Sequence, residues 1–253
     1  MLVRAFVSGL LLIPVPASVW AATPTVSQGE PVAVVELFTS EGCSSCPPAD
    51  DFLRRIHLQH NSGELIFGLS EHVTYWNQLG WKDPFSQQAF TDRQEAYAER
   101  LSERGPYTPQ MVVNGSAEFV GGNGPALQKA LQADAKLLHG TLAITTHAVS
   151  GGRLSVSFHF KGPDARAYDI LVVVADDSDR SSVARGENSG RTLEHVSVVR
   201  SMTRVATLSG DSDQTAEVPL ALEAGKPTVA RHLVLIAQQP HQGRIVAAVT
   251  VAL

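Results

Sequence analysis

Cysteine is the scarcest reactive residue in this chain: 253 residues hold only two, Cys43 and Cys46. A scaffold of several disulfides is therefore excluded, and no third thiol exists for a long-range staple. Basic clusters are missing too. Twenty Lys and Arg stand against 25 Asp and Glu, a formal charge of −5 without a run of either base, so nucleic acid is not an expected partner. Beyond the N-terminus no stretch is long and apolar enough to span a membrane. There is no phosphate-binding glycine loop, nucleophile elbow, internal repeat or low-complexity tract. What remains, 43% apolar and 18% charged, is the composition of an ordinary globular protein of one or two domains.

The first residues read as an address rather than as fold. Met1–Arg4 is a short basic start, Ala5–Val15 is mostly apolar, and Pro16–Ala22 ends in small residues. Residues 1–22 are thus expected to be a secretory signal peptide cut after Ala21 or Ala22, the apolar run being short for a span and broken by Pro14 and Pro16. The mature protein is then exported, periplasmic or secreted, with no membrane attachment after cleavage. Thr23–Pro31 reads as a flexible leader.

The stretch Val32–Pro48, VAVVELFTSEGCSSCPP, organises the rest of the chain. An apolar run breaks into a polar turn that carries both cysteines and then two prolines, the layout of a buried strand feeding a redox turn at a helix N-terminus. A helix start favours a thiolate. A bridge closing so short a loop stabilises by at most about 2 kcal/mol, against roughly 4–5 for a long loop. In an oxidising compartment that makes redox use a better account of the pair than a staple.

A helix from Ala49 to about His60 is expected next, with Phe52, Leu53 and Ile56 on one face, then a buried strand at Leu65–Leu69. A loop, Glu71–Phe85, precedes an amphipathic helix over Gln87–Arg104 capped by Ser86. In Tyr107–Gly115 a Thr-Pro enters an apolar strand that ends in Asn114-Gly115, read as a tight hairpin with Glu118–Val120 returning, and Pro125 to about Leu138 as a last helix. From Gly140 the period becomes two. Seven strands are expected, at Leu142–Val149, Leu154–Phe160, Ile170–Val174, Glu194–Thr207, Ala216–Leu220, His232–Ala237 and Ile245–Val251. The polar run Asp176–Arg191 reads as a long loop between two of them.

Glu36–Asp50 resembles the signature of a secreted thioredoxin-like family catalogued as domain of unknown function 1223. His72 with Tyr75-Trp76 and Gly80–Phe85 is similar to its second block, Tyr107–Gly115 to its third, and Gly186–Arg191 to a block in its C-terminal part. The likeness covers nearly the whole mature chain. It implies an α/β thioredoxin-like domain, here residues 32–139, while the seven expected strands read as an all-β antiparallel sandwich-like domain at 140–253. Of the reaction it says little.

Candidate site residues come from both lines. In a redox reading Cys43 attacks and Cys46 resolves, so that the Cys43–Cys46 disulfide is itself the active group and no other cofactor is needed. By the resemblance, Pro109 is a cis-proline beside the pair, and Thr108 offers its backbone to a substrate. Glu36, an acid inside an apolar strand, is either a proton relay or a structural acid bonded to backbone or to an arginine. His72, Trp76 and Trp81, with Tyr75 and Lys82, form either a recognition surface over the cysteines or aromatic packing under a loop. A zinc site of Cys43, Cys46, His57 and His60 has the wrong spacing, with the histidines about 15 Å along a helix, so no metal is expected there. Arg185, Glu187, Asn188, Arg191, Glu194 and His195 gather around a glycine-bounded loop, read either as a contact to the first domain or a partner or, preferably, as a solvated loop, and given no chemistry. The expected function is a thiol–disulfide oxidoreductase acting on protein or small-molecule thiols. The alternatives are a copper(I)-binding protein using the cysteines and His72, or an interaction module with a structural bridge. Oligomeric state is not readable.

Overall fold

The structure is a computed structural model that describes residues 32–61, 64–102, 104–220 and 230–253. The expected signal peptide and leader lie outside these residues. In chain order the elements are β1 (Val32–Thr39), α1 (Pro47–Ile56), β2 (His60–Asn61), β3 (Glu64–His72), α2 (Gln88–Leu101), β4 (Gln110–Val113), β5 (Ala117–Val120) and α3 (Gly124–Asp134), then β6 (Thr141–Ser150), β7 (Arg153–Lys161), β8 (Tyr168–Ser182), β9 (Thr192–Leu208), β10 (Asp211–Pro219), β11 (Arg231–Gln238) and β12 (Ile245–Ala252). The order of the first half is the expected one, with the short β2 added, and all seven later strands are present.

Two sheets carry the molecule. One mixed sheet runs β12-β11-β8-β9-β3-β1-β4-β5, with β2 attached to β3, and a second, antiparallel sheet runs β10-β7-β6. β1 pairs parallel to β3 and antiparallel to β4. The larger sheet does not stop at the boundary expected after residue 139, because β9 pairs parallel to β3 at Ser70 and Val198. Between the two sheets lies a wholly apolar core that includes Phe158, Phe160, Ile170, Val172, Leu235 and Val249.

Strand alternation divides β1 between two layers. Ala33, Val35 and Leu37 pack with Leu53 of α1 and Leu127 and Leu131 of α3. Val34 packs with Phe90 and Phe38 with Tyr97, both from α2. Gly68 of β3 permits α1 to lie close, since a Cβ there would sit 2.8 Å from Leu53.

Several expectations need correction. α2 spans Gln88–Leu101 rather than Gln87–Arg104, and Gln87, not Ser86, is its N-cap, the Ser86 hydroxyl donating to Asp83 O instead; α3 ends at Asp134 rather than near Leu138. α1 stops at Ile56 rather than near His60: His57 accepts a 3.2 Å hydrogen bond from the Gly68 amide, and Leu58 turns through a positive φ of 56° to bond Ile66. Asp176–Ser182 is strand, not loop. Its polar residues suit an extended arm of β8 paired with β9 as far as Ser182 and Thr192, and the buried Asp176 carboxylate is held by Arg231 at 2.6 Å. Only 183–191 turns. The hairpin expected at Asn114-Gly115 is there, with positive φ at both residues.

Candidate functional site

β1 ends at Thr39, and the turn after it is tied by Cys43 N–H to Ser40 O at 3.1 Å and Cys46 N–H to Cys43 O at 3.2 Å. Cys43 and Cys46 form a disulfide with Cα atoms 5.4 Å apart. Cys46 is the N-cap of α1, and Pro47 and Pro48 fill the first turn, where a missing N–H costs nothing. The prolines also leave few amides to bond a thiolate directly, since Ala49 N–H and Asp50 N–H are both turned to Cys46 O. The Ser45 hydroxyl lies 3.3 Å from Cys43 Sγ. Both cysteines are fully buried, while Ser44 and Ser45 between them are exposed.

Pro109 follows a cis peptide bond and lies at the end of the same layer. Gly121 fits between it and α1, where a Cβ would meet Ala49 at 2.8 Å and Pro109 at 2.9 Å. Trp76 joins this edge to the cysteine loop: its indole N–H donates to Thr108 Oγ1 at 2.8 Å, and its Cβ lies against Gly42. Trp81 donates to Glu41 Oε2 at 2.8 Å. Tyr75 OH bonds Gln94, and Lys82 is exposed.

Next to the disulfide loop lies a buried cluster that no spacing in the sequence revealed. Glu41, Asp50, His72, Asp83 and His195 are each at most 6% exposed. His72 Nδ1 meets Asp83 Oδ2 at 2.7 Å and Nε2 meets Ser70 Oγ at 3.2 Å. Asp83 also accepts from the Glu41 amide at 2.8 Å. Glu41 takes Trp81 on one oxygen and Ser181 and His195 on the other, the last at 3.2 Å. Asp50 accepts from Thr39 Oγ1 at 2.8 Å and lies 4.0 Å from His195 Nδ1. Burial pushes the Asp50 carboxyl up, although the His195 and His72 charges and the Thr39 bond oppose it. At His195 burial works against the charged form, but the Glu41 bond and the charges of Asp50, Glu41 and Asp83 outweigh it, so its pKa is raised. Asp83 is likewise disfavoured by burial yet held below its usual range by His72 and two amides.

Glu36 sits elsewhere. It points to the α2 side, where its carboxylate takes Arg93 Nε at 2.6 Å and Tyr97 OH at 2.7 Å. Glu71, the neighbour of His72 in sequence, faces the same way, 3.7 Å from Arg93. Burial, with the Glu36 charge beside it, holds its carboxyl well above the ordinary range.

Three of the residues given no chemistry, Glu187, Asn188 and His195, reach the site. Asn188 Nδ2 donates to Glu41 O and to Cys43 O, both at 2.9 Å, and Glu187 Oε2 accepts from the Ser44 amide at 3.0 Å. His195 is a member of the buried cluster. Arg191 holds the side-chain carbonyl of Asn188 at 2.9 Å. The sequence signals for these contacts were the polar cluster around this loop, for which a contact to the first domain was the less favoured reading, and the block Gly186–Arg191, which carried a resemblance without a role. Among the described residues no group of three or more His, Cys, Asp or Glu is arranged to hold a metal ion, and no helix is long and apolar enough to cross a membrane.

A structural-genomics crystal structure of an Agrobacterium tumefaciens protein is similar at 27% identity over 88% of this chain and 95% of that one, with a TM-score of 0.67. HBP35 of Porphyromonas gingivalis is similar in fold, with a TM-score of 0.63 at 15% identity over 89% of this chain and 76% of that one. None of the curated proteins matches. Residues 34–238 match the model of the family described as protein of unknown function (DUF1223), and the chain belongs to that family.

Proposed function

We propose that this protein is an exported thiol–disulfide oxidoreductase, periplasmic or secreted, with a thioredoxin-like fold in its N-terminal part and the Cys43–Cys46 pair as its redox centre. One observation carries the reading: the only two cysteines of the chain are joined across a single turn at the start of α1, where a staple contributes little. In the reaction a partner thiolate attacks Cys43 Sγ, and the disulfide bond breaks with its electron pair going to Cys46 as thiolate. A second partner thiolate then attacks the mixed disulfide, leaving the partner as a disulfide and both cysteines reduced. Two electrons pass from the partner, and two protons complete the thiols. Pro109, Thr108 and Trp76 form the edge of the loop along which a substrate would lie.

The burial of both sulfurs favours a second reading, a structural bridge in a non-catalytic interaction module. The copper(I) alternative draws less support, because both ring nitrogens of His72 are engaged by Asp83 and Ser70. The reduction potential of the pair, measured on mature protein in glutathione buffers with thiol trapping, separates these readings. A value within about −120 to −270 mV is expected, and its position in that range distinguishes oxidant from reductant. A value below about −300 mV, with Cys43 inert to exchange, would replace the enzyme by the structural bridge.

A further inference from the structure

Resting on the redox reading, we infer that the turn of the β8–β9 arm, residues 183–191, is a latch over the disulfide that a thiol partner has to displace. Thiol–disulfide exchange needs a sulfur that an incoming thiolate can reach. Here Cys43 and Cys46 are both fully buried, although Ser44 and Ser45 beside them are exposed. The buried side chain that closes the loop from the arm is Asn188, 1% exposed, which donates to the carbonyls of Glu41 and Cys43. Glu187 takes the Ser44 amide, and Gly186 seats the turn against Trp81.

The arm is built to separate at its tip and stay anchored at its base. Near the base, Val183 and Leu193 are buried, and Ser181 and His195 hold Glu41. The tip is braced on itself by Gly190 N–H to Val183 O and Arg191 N–H to Asn188 O. Its flanking residues Ala184, Arg185, Ser189 and Gly190 are exposed. The tip grips the loop through polar bonds to main-chain groups of Glu41, Cys43 and Ser44, which water can replace when it lifts. Each of the three is exchanged for a bond to water when the tip lifts, so its net cost is far below its strength in isolation.

The test is the rate at which dithiothreitol reduces, and glutathione disulfide reoxidises, the pair in mature wild type and in Asn188→Ala/Glu187→Ala. The double variant is expected to react at least tenfold faster in both directions, with Glu187→Gln between it and wild type. A smaller gain would overturn the latch. If the double variant does not fold, hydrogen exchange at the Ser44 amide of the wild type decides. Loss of its protection in step with reduction supports the latch, and a Ser44 amide that stays protected while the disulfide is reduced overturns it. The potential is measured alongside. Equal rates with a potential in the exchange-active range remove the latch and keep the oxidoreductase, and faster variant rates with a potential outside it do the reverse.

Discussion

Two clusters of buried carboxylates lie on opposite faces of one sheet, and they are neutralised differently. On the α1 face, Glu41, Asp50 and Asp83 meet His72 and His195. On the α2 face, Glu36 and Glu71 share Arg93, with Tyr97 and Gln238 completing the network. Adjacent residues of β3, Glu71 and His72, are sent to different clusters by strand alternation alone. An arginine stays charged throughout the accessible pH range, so the α2 cluster is a fixed brace. His195, whose pKa is raised by Glu41, Asp50 and Asp83 against the effect of burial, can gain or lose a proton, so the cluster next to the disulfide is the one able to rearrange its charge. Histidines stand beside the disulfide, and permanent positive charge stands away from it.

The largest test of that contrast is Arg93→Met, which leaves Glu36 buried without its cation. Urea denaturation is expected to show a loss of about 3–5 kcal/mol, the usual cost of breaking one side of a buried ion pair. Asp83→Asn removes the charged acceptor shared by His72 and the Glu41 amide and is expected to cost about 1.5–3 kcal/mol in the same experiment. A similar cost for the two substitutions would show that the clusters are equally rigid.

Two smaller effects appear in pH profiles of stability. The raised pKa of His195 means that its contribution is complete below about 6.5 and fades as pH rises through its folded value. His195→Gln is therefore expected to be most destabilising at or below about pH 6.5, its deficit against wild type shrinking at higher pH in thermal melts. The smallest effect is Glu71→Gln. Below the ordinary glutamate range the wild-type carboxyl is neutral in folded and unfolded chains, and the variant should match it. Above that range the unfolded chain ionises while buried Glu71 keeps its proton, so wild-type stability falls and the glutamine variant should gain on it. A deficit for Glu71→Gln that grows with pH would mean that Glu71 is a stabilising anion and that burial does not keep its carboxyl neutral.

Much of this was legible in local pattern. An apolar run, a turn with two cysteines and two prolines predicted β1 and α1, and Asn114-Gly115 predicted the hairpin that the structure contains. Glu36 stood out as an acid in an apolar strand, and its need for a partner was readable although Arg93, 57 residues away, was not. The polar arm Asp176–Ser182 misled because its inward carboxylate is satisfied by Arg231, from a strand far along the chain. Composition registers the charge of such a residue but not the partner that makes its burial tolerable.

Strand and helix order, the single cysteine pair and its place at a helix start each depend on residues within a few positions of one another, and local pattern was enough to set them. Tertiary structure alone decided that β9 would join β3, and so that Asn188 and His195 would reach Glu41 and Cys43 across more than 140 positions. Such contacts depend on how strands from distant parts of the chain dock into one sheet, and the docking is set by the summed burial of many apolar side chains rather than by any local motif.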